Sequence, residues 1–165
     1  MYKRQPSSNS LTTTPITIDR SAPTISSVTA PANTTYIPGN TPTFTVNFSE
    51  SVTVTGTPRL VLTVGSSAEY AIFASFSDSK TALFRYTVGT DPIEFDTDGI
   101  AISTSLDLNS GTIRDLATNT LTNFSFSAPT LTSVFVAQPA AAPTIDSITA
   151  TSGQLAIYFT PGAAR

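Results

Sequence analysis

Alternation of polar and apolar residues with period two recurs along the chain and predicts β-strands. Residues 43–48 put Phe44, Val46 and Phe48 on one face, as a half-buried strand requires. Several other segments of strand length carry apolar or alternating residues of the same kind. They are residues 24–30, 59–64, 69–76, 82–88, 100–103 and 131–136. No stretch carries apolar residues at the spacing of a helix over two turns.

Turn-forming sequences separate these segments. Glycine, proline, asparagine, aspartate and serine cluster at 38–40, 55–58, 65–67, 78–80, 98–99 and 109–111. About seven short strands with turns at regular spacing are typical of an antiparallel sandwich. The sequence therefore predicts an all-β fold, an antiparallel β-sandwich of about seven strands.

An internal repeat organises the chain. The sequence APTISSVTA at residues 22–30 reappears as APTIDSITA at residues 142–150, with seven of nine positions identical. The offset from 22 to 142 is 120 residues, which suits one sandwich domain with its linker. In each copy a proline precedes the alternating residues, as on a first edge strand, because proline cannot donate to a ladder.

The repeat predicts how the chain is divided. Residues 18–137 are expected to form one complete domain, followed by an Ala/Pro-rich linker at residues 138–142. Residues 143–165 are expected to begin a second, truncated domain. Residues 1–17 are predicted to be a disordered leader joined to the end of a preceding repeat. The chain would then be an internal piece of a larger protein.

Composition narrows the classes of function. The chain has 165 residues, including 30 Thr and 21 Ser, and only 12% of its residues are charged. The absence of His and Cys excludes imidazole or thiolate catalysis, zinc sites and disulfides. A net charge of −3 without a basic stripe argues against nucleic acid as a partner. No apolar run reaches the roughly 18 residues of a membrane span, so no membrane insertion is predicted.

Three segments resemble the Ig-like repeat domains of large bacterial surface proteins and adhesins. Residues 18–24 look like a junction between repeats, and residues 47–58 look like a strand with its following turn. Residues 111–119 look like a late turn of the pattern G-T-I-x-D-x-x-G-N, with Thr118 where that pattern has Gly. The resemblance covers about residues 18–136 and implies an immunoglobulin-like β-sandwich.

The C-terminal stretch is similar to the opening of a fibronectin type III domain. Pro143 would stand on the first strand of that domain, and residues 155–159 would form its second strand. This resemblance implies a truncated second β-sandwich module with strands at about 144–150 and 154–159.

The resemblances imply a non-catalytic extracellular or cell-surface module, a structural spacer or adhesive segment of a large bacterial protein. Its expected partners are neighbouring repeats of the same chain and a host-cell or matrix glycan or protein. An accessory carbohydrate-binding module of a secreted polysaccharide-active enzyme is the alternative, with Tyr36 as a candidate loop contact to sugar. A component of a phage or appendage fibre is a third interpretation.

Four acidic residues within eight positions form a candidate calcium loop. They are Asp91, Glu94, Asp96 and Asp98. Oxygen ligands at alternate positions followed by Gly99 resemble the first half of a calcium-binding loop. Ser105 stands where a bidentate Glu would complete such a loop, and no flanking helices are indicated. The alternative is an ordinary strand with Ile93 and Phe95 inward and the acids toward water.

Asp19 and Glu50 are a second candidate pair. An acid at a domain junction and an acid after an early strand can clamp a cation between tandem domains. The alternative is a capped turn at Asp19 and a solvent-facing Glu50. Beyond calcium, no cofactor is predicted.

Overall fold

The computed structural model describes residues 18–137 and 143–160, so the predicted leader at 1–17 and the linker at 138–142 lie outside the described residues. The described chain is all-β and contains twelve strands. They are β1 (Ile25–Thr29), β2 (Thr35–Tyr36), β3 (Thr43–Phe48), β4 (Val52–Thr55), β5 (Arg59–Val64), β6 (Ser67–Asp78), β7 (Thr81–Arg85), β8 (Ala101–Asp107), β9 (Thr112–Asp115), β10 (Phe135–Val136), β11 (Thr144–Thr151) and β12 (Gln154–Thr160).

Six strands form one antiparallel sheet in the order β1-β3-β7-β6-β5-β8. The strands expected at 43–48 and 59–64 are confirmed with those bounds. In β3, Phe44, Val46 and Phe48 are buried while the residues between them stay half-exposed. The period-two pattern therefore identifies the inward face of this sheet correctly.

Other expected strands differ in length. The strand expected at 82–88 is β7, which ends at Arg85. Beyond it, the backbone N–H groups of Tyr86 and Val88 donate to the carbonyls of Pro42 and Asn40, at 3.2 and 3.0 Å. The strand expected at 100–103 continues to the end of β8, and the one expected at 131–136 shrinks to the two residues of β10.

Three strands were not expected as such: β2, β4 and β9. β4 and β9 pair antiparallel with each other, with Val52 opposite Asp115 and Thr55 opposite Thr112. Residues 111–119 therefore contain a strand before their turn. Each of these strands has at most four residues, which is too short for alternation to stand out from a turn sequence.

One cluster of buried residues forms the hydrophobic core. The main sheet contributes its largest fully buried side chains from β3, β5 and β7, among them Phe44, Leu60 and Phe84. Ile113 of β9 and the buried residues of the chain from 121 to 136 join the same cluster. Removal of this apolar surface from water is the main term that stabilises the fold.

The pairing of β1 with β3 contains a β-bulge near its start. Ile25 lies opposite Phe48, and after a register shift between Ile25 and Ser27, Val28 lies opposite Val46. A bulge of this kind adds one residue to β1 and keeps Ile25 and Val28 on the same face.

The hairpin formed by β11 and β12 reproduces the register of that pairing, with β11 lying 120 residues after β1 and β12 lying 111 residues after β3. Ile145 lies opposite Phe159, and after a register shift between Ile145 and Ser147, Ile148 lies opposite Ile157. The two strands expected in this region are both present, each extended by one residue at its C-terminal end. The sequence repeat is therefore also a repeat of backbone pairing.

Candidate functional site

The calcium candidates lie on a loop whose side chains are reversed relative to an ordinary strand. Pro92–Glu94 forms one turn of 3-10 helix, which the fixed φ of a proline at its start favours. Glu94 and Asp96 are buried, at 7% and 6% exposure, whereas Ile93 is 51% exposed. The alternative prediction, with Ile93 inward and the acids toward water, is therefore wrong. Asp98 lies on the surface.

Glu94 is buried against a tyrosine and a backbone amide. Its Oε2 atom accepts hydrogen bonds from the Tyr86 hydroxyl at 2.5 Å and from the Gly89 N–H at 2.9 Å. A Cβ at position 89 would overlap the carboxylate of Glu94, so glycine is needed for this close approach. Burial, and then the bond to Glu94, raise the pKa of Tyr86 above its ordinary value, so this hydroxyl stays protonated and donates.

Asp96 joins three parts of the chain through hydrogen bonds. Its carboxylate accepts from the Gly65 N–H at 2.9 Å and from the Gly99 N–H at 2.8 Å. Its backbone forms an antiparallel bridge with Val136, with both N···O distances at 2.9 Å. The side chain therefore holds the candidate calcium loop against the β5–β6 turn, and the backbone bridge holds it against β10.

Three of the four candidate carboxylates accept hydrogen bonds from within the protein. Glu94 and Asp96 accept the bonds just described, and the carboxylate of Asp91 accepts from the Ile93 N–H at 3.1 Å. Across the described parts of the chain, the four candidates do not supply three ligand atoms within 4.8 Å of one another. The structure therefore does not bring this quartet together as a cation site.

A different group of acids does come together. Asp19, Glu50 and Asp115 each place a carboxylate oxygen within 4.8 Å of the others, and we call them the acidic cluster. Asp19 precedes β1, Glu50 lies in the turn after β3, and Asp115 ends β9. The sequence predicted the first two as a pair, but Asp115 was not expected to join them. The available signal was the aspartate of the G-T-I-x-D-x-x-G-N pattern.

Asn119 organises one side of the acidic cluster. Asp115 is buried, and its carboxylate accepts from the backbone N–H and the side-chain amide of Asn119, both at 2.7 Å. The same amide donates to the carbonyl of Ser21 at 3.1 Å and to that of Asp19 at 3.4 Å. One side chain thus links the segment that leads into β1 with the turn that follows β9.

The turn between Asp115 and Asn119 contains a residue in the left-handed region. Thr118 has a φ of 72°, and its N–H donates to the carbonyl of Asp115 at 3.3 Å. A β-branched residue is a genuine outlier there, whereas glycine adopts this conformation freely. Thr118 therefore adopts a conformation that favours glycine, at the cost of local strain.

The negative charges of the other two acids in the acidic cluster oppose the ionisation of Glu50. Desolvation, and then the charges of Asp115 and Asp19, raise the pKa of the Glu50 carboxyl, while Lys80 opposes the shift. Asp19, Glu50 and Lys80 line an open depression of about 470 Å³. Carboxylate oxygens are the ligands that calcium prefers, so this cluster is the candidate metal centre.

Tyr36, the candidate sugar contact, is half-buried, and its hydroxyl donates to the carbonyl of Ala32 at 3.0 Å.

Comparison of the chain with protein-family models, with curated proteins and with solved structures gives no match. Within residues 18–137 and 143–160, no helix has the length and apolarity that crossing a membrane would require.

Proposed function

We propose that this chain is a non-catalytic extracellular module of a large bacterial cell-surface or secreted protein, acting as a structural spacer or adhesive segment. The observation that carries the proposal is the repeated strand pairing. The β1–β3 register, including its bulge, recurs as β11–β12, whose first strand lies 120 residues after β1. A chain that repeats both the sequence and the pairing of the first strands of a module fits a tandem array.

In this proposal each module is an immunoglobulin-like β-sandwich. The six-stranded sheet and the β4–β9 pair contribute to one buried cluster, which supports two layers around a single core. The repeated register also favours a second module of the same type as the first over a fibronectin type III domain. Because the chain is rich in Thr and Ser and has few charges, its surface should attract charged ligands only weakly, as a spacer requires.

The junction supports a load-bearing role. In an array, the segment before β1 would receive tension from the preceding module, and the amide of Asn119 holds the backbone of Asp19 and Ser21. A tension-bearing module needs its entry point attached to its core. Asn119 provides that attachment because it also bonds the buried Asp115.

Single-molecule stretching of the full chain tests this proposal. A spacer should unfold in one cooperative event that releases roughly 400 Å of chain, since the roughly 120 residues from 18 to 137 span about 3.4 Å each when extended. Asn119→Ala should lower the rupture force, whereas Asn123→Ala, which removes an acceptor within an exposed loop, should leave it unchanged. Extension at low force without a discrete event would contradict the spacer role.

A glycan array probed with the full chain addresses the alternative function. The spacer proposal predicts no dose-dependent binding to polysaccharides. Saturable binding to one class of glycan would instead favour an accessory carbohydrate-binding module.

A further inference from the structure

The last strand before residue 137 pairs with a strand near the start of the first module. β10 runs parallel to β2, with Phe135 opposite Thr35. Backbone hydrogen bonds join the two strands. The Phe135 N–H donates to the Thr34 carbonyl at 3.0 Å, and the Ala137 N–H donates to the Tyr36 carbonyl at 2.9 Å. We call β2 and β10 the terminal pair.

The terminal pair is the one parallel pairing among the described strands. In a parallel pair, the N-terminal end of one strand and the C-terminal end of the other lie at opposite ends. Tension that enters before β2 and leaves after β10 therefore slides the strands past each other and stretches their hydrogen bonds together. In an antiparallel pair, the same tension would pull both strands from one end and break the bonds in turn.

β10 is also held on its other side and by the core. Val136 forms the backbone bridge with Asp96, and the Asp96 carboxylate in turn accepts from the amides of Gly65 and Gly99. Val134 and Val136 are buried, at 0% and 1% exposure. Burial excludes water that would compete for the hydrogen bonds. β10 therefore cannot slide without breaking these bonds and withdrawing valine side chains from the core.

The chain enters and leaves the main sheet at opposite ends. β1 begins at Ile25, opposite Phe48, whose N–H donates to the carbonyl of Lys80 in the β6–β7 turn. Asp96, beside β10, bonds to Gly65 in the β5–β6 turn. These two turns flank β6, whose 12 residues span roughly 40 Å. Tension along the chain therefore acts across the length of the sheet.

We propose that the terminal pair, backed by Asp96, is a mechanical clamp that holds the module closed under tension and yields all at once. This inference rests on the proposed role as a spacer, because such a contact is used only by a chain under tension. Asn119 attaches the entry segment through exposed hydrogen bonds, for which water competes. The clamp adds a second, buried point of resistance near the exit.

Single-molecule stretching of the full chain in two directions tests the clamp. The chain has no cysteine, so Asn33→Cys or Ile37→Cys provides a unique thiol for one handle, and the other handle is at the C-terminus. Both residues are exposed, and they lie on either side of β2. A pull from position 33 shears the terminal pair, whereas a pull from position 37 opens it from one end. The released lengths are nearly equal, so the comparison concerns force alone.

We expect the rupture force from position 33 to be at least about twice that from position 37, because two or more hydrogen bonds share the tension instead of breaking in turn. Ala137→Pro, which removes the N–H that donates to Tyr36, should lower the force from position 33 by roughly half. Ala137→Gly is the matched control, because it keeps this N–H and should leave the force unchanged.

Equal forces from positions 33 and 37 would overturn the clamp, and so would gradual extension from position 33 without a discrete event. Equal effects of Ala137→Pro and Ala137→Gly would do the same. If Ala137→Pro does not fold, the comparison of the two directions still decides. A discrete event on end-to-end stretching, together with equal forces in the two directions, would reject the clamp and leave the spacer role standing.

Discussion

Replacing Thr118 with glycine should stabilise the protein, although glycine normally weakens a fold. Thr118 is exposed and holds a φ of 72°, so the substitution relieves strain without loss of packing. The left-handed conformation costs an L-residue with a Cβ about 1–2 kcal/mol. The greater freedom of glycine in the unfolded chain opposes this effect and lowers the free energy of unfolding by roughly 0.5–1 kcal/mol. The net expectation is a stabilisation of about 0.5–1 kcal/mol.

Urea unfolding followed by circular dichroism measures this effect as a higher midpoint at an unchanged m-value. Thr122→Gly is the matched control, because Thr122 is exposed in the same region but does not have a positive φ. That control should lose roughly 0.5–1 kcal/mol. The two variants should therefore shift the midpoint in opposite directions. Equal destabilisation by both would refute the argument from strain at Thr118.

Two further substitutions address the charged groups. Glu50→Gln should raise the melting temperature at neutral pH, because folding raises the pKa of this carboxyl and so opposes its ionisation. The advantage should disappear as the pH falls below 4.5, the ordinary pKa of a glutamate, where the carboxyl is protonated in both the folded and the unfolded wild type. If calcium binds at the acidic cluster, millimolar calcium should raise the melting temperature of the wild type and of Asp98→Asn more than that of Glu50→Gln. Equal shifts in all three proteins would mean that calcium does not bind at the acidic cluster. Tyr86→Phe should destabilise by about 1.5–3 kcal/mol, because it removes a hydrogen bond to the buried carboxylate of Glu94. The raised pKa of Tyr86 makes its stabilising effect complete below pH 10.0 and progressively lost above it, so urea unfolding of Tyr86→Phe should show a flatter alkaline decline. An alkaline decline as steep as that of the wild type would contradict this assignment.

The sequence predicted those strands whose alternation is long enough to be seen. β3 and β5 have six residues each, which is long enough for the alternation of polar and apolar residues to be recognised. In both strands the alternating apolar residues are the ones that are buried. β4 and β9 have four residues each, and their pairing depends on positions some 60 residues apart in the chain. Local pattern carries no information about such a pairing, which is why β4 and β9 were not anticipated as strands.

The candidate calcium loop shows a second limit of sequence patterns. Alternation indicates which residues share a side, but it does not indicate which side faces the core. Glu94 and Asp96 face inward because the hydroxyl of Tyr86 and the amides of Gly65 and Gly89 satisfy them there. A buried carboxylate is stable only with such partners, and these partners come from other parts of the chain.

The acidic cluster was predicted in part. Asp19 and Glu50 were identified from their places at a junction and after an early strand. Asp115 joins them through β9, which the sequence analysis did not predict as a strand. The departure at Thr118 was visible in the sequence, but the fact that the turn keeps its left-handed geometry was not.

The hydrogen bonds of Asn119 have a consequence for the reach of the proposed array. By holding the backbone of Asp19 and Ser21, this amide sets the direction in which the chain enters the module. In a string of modules, angular deviations at successive joints add like the steps of a random walk. Loose joints give an end-to-end distance that grows as the square root of the number of modules, while stiff joints give linear growth. In the proposed array, one such amide per module would contribute to the persistence length of the whole string.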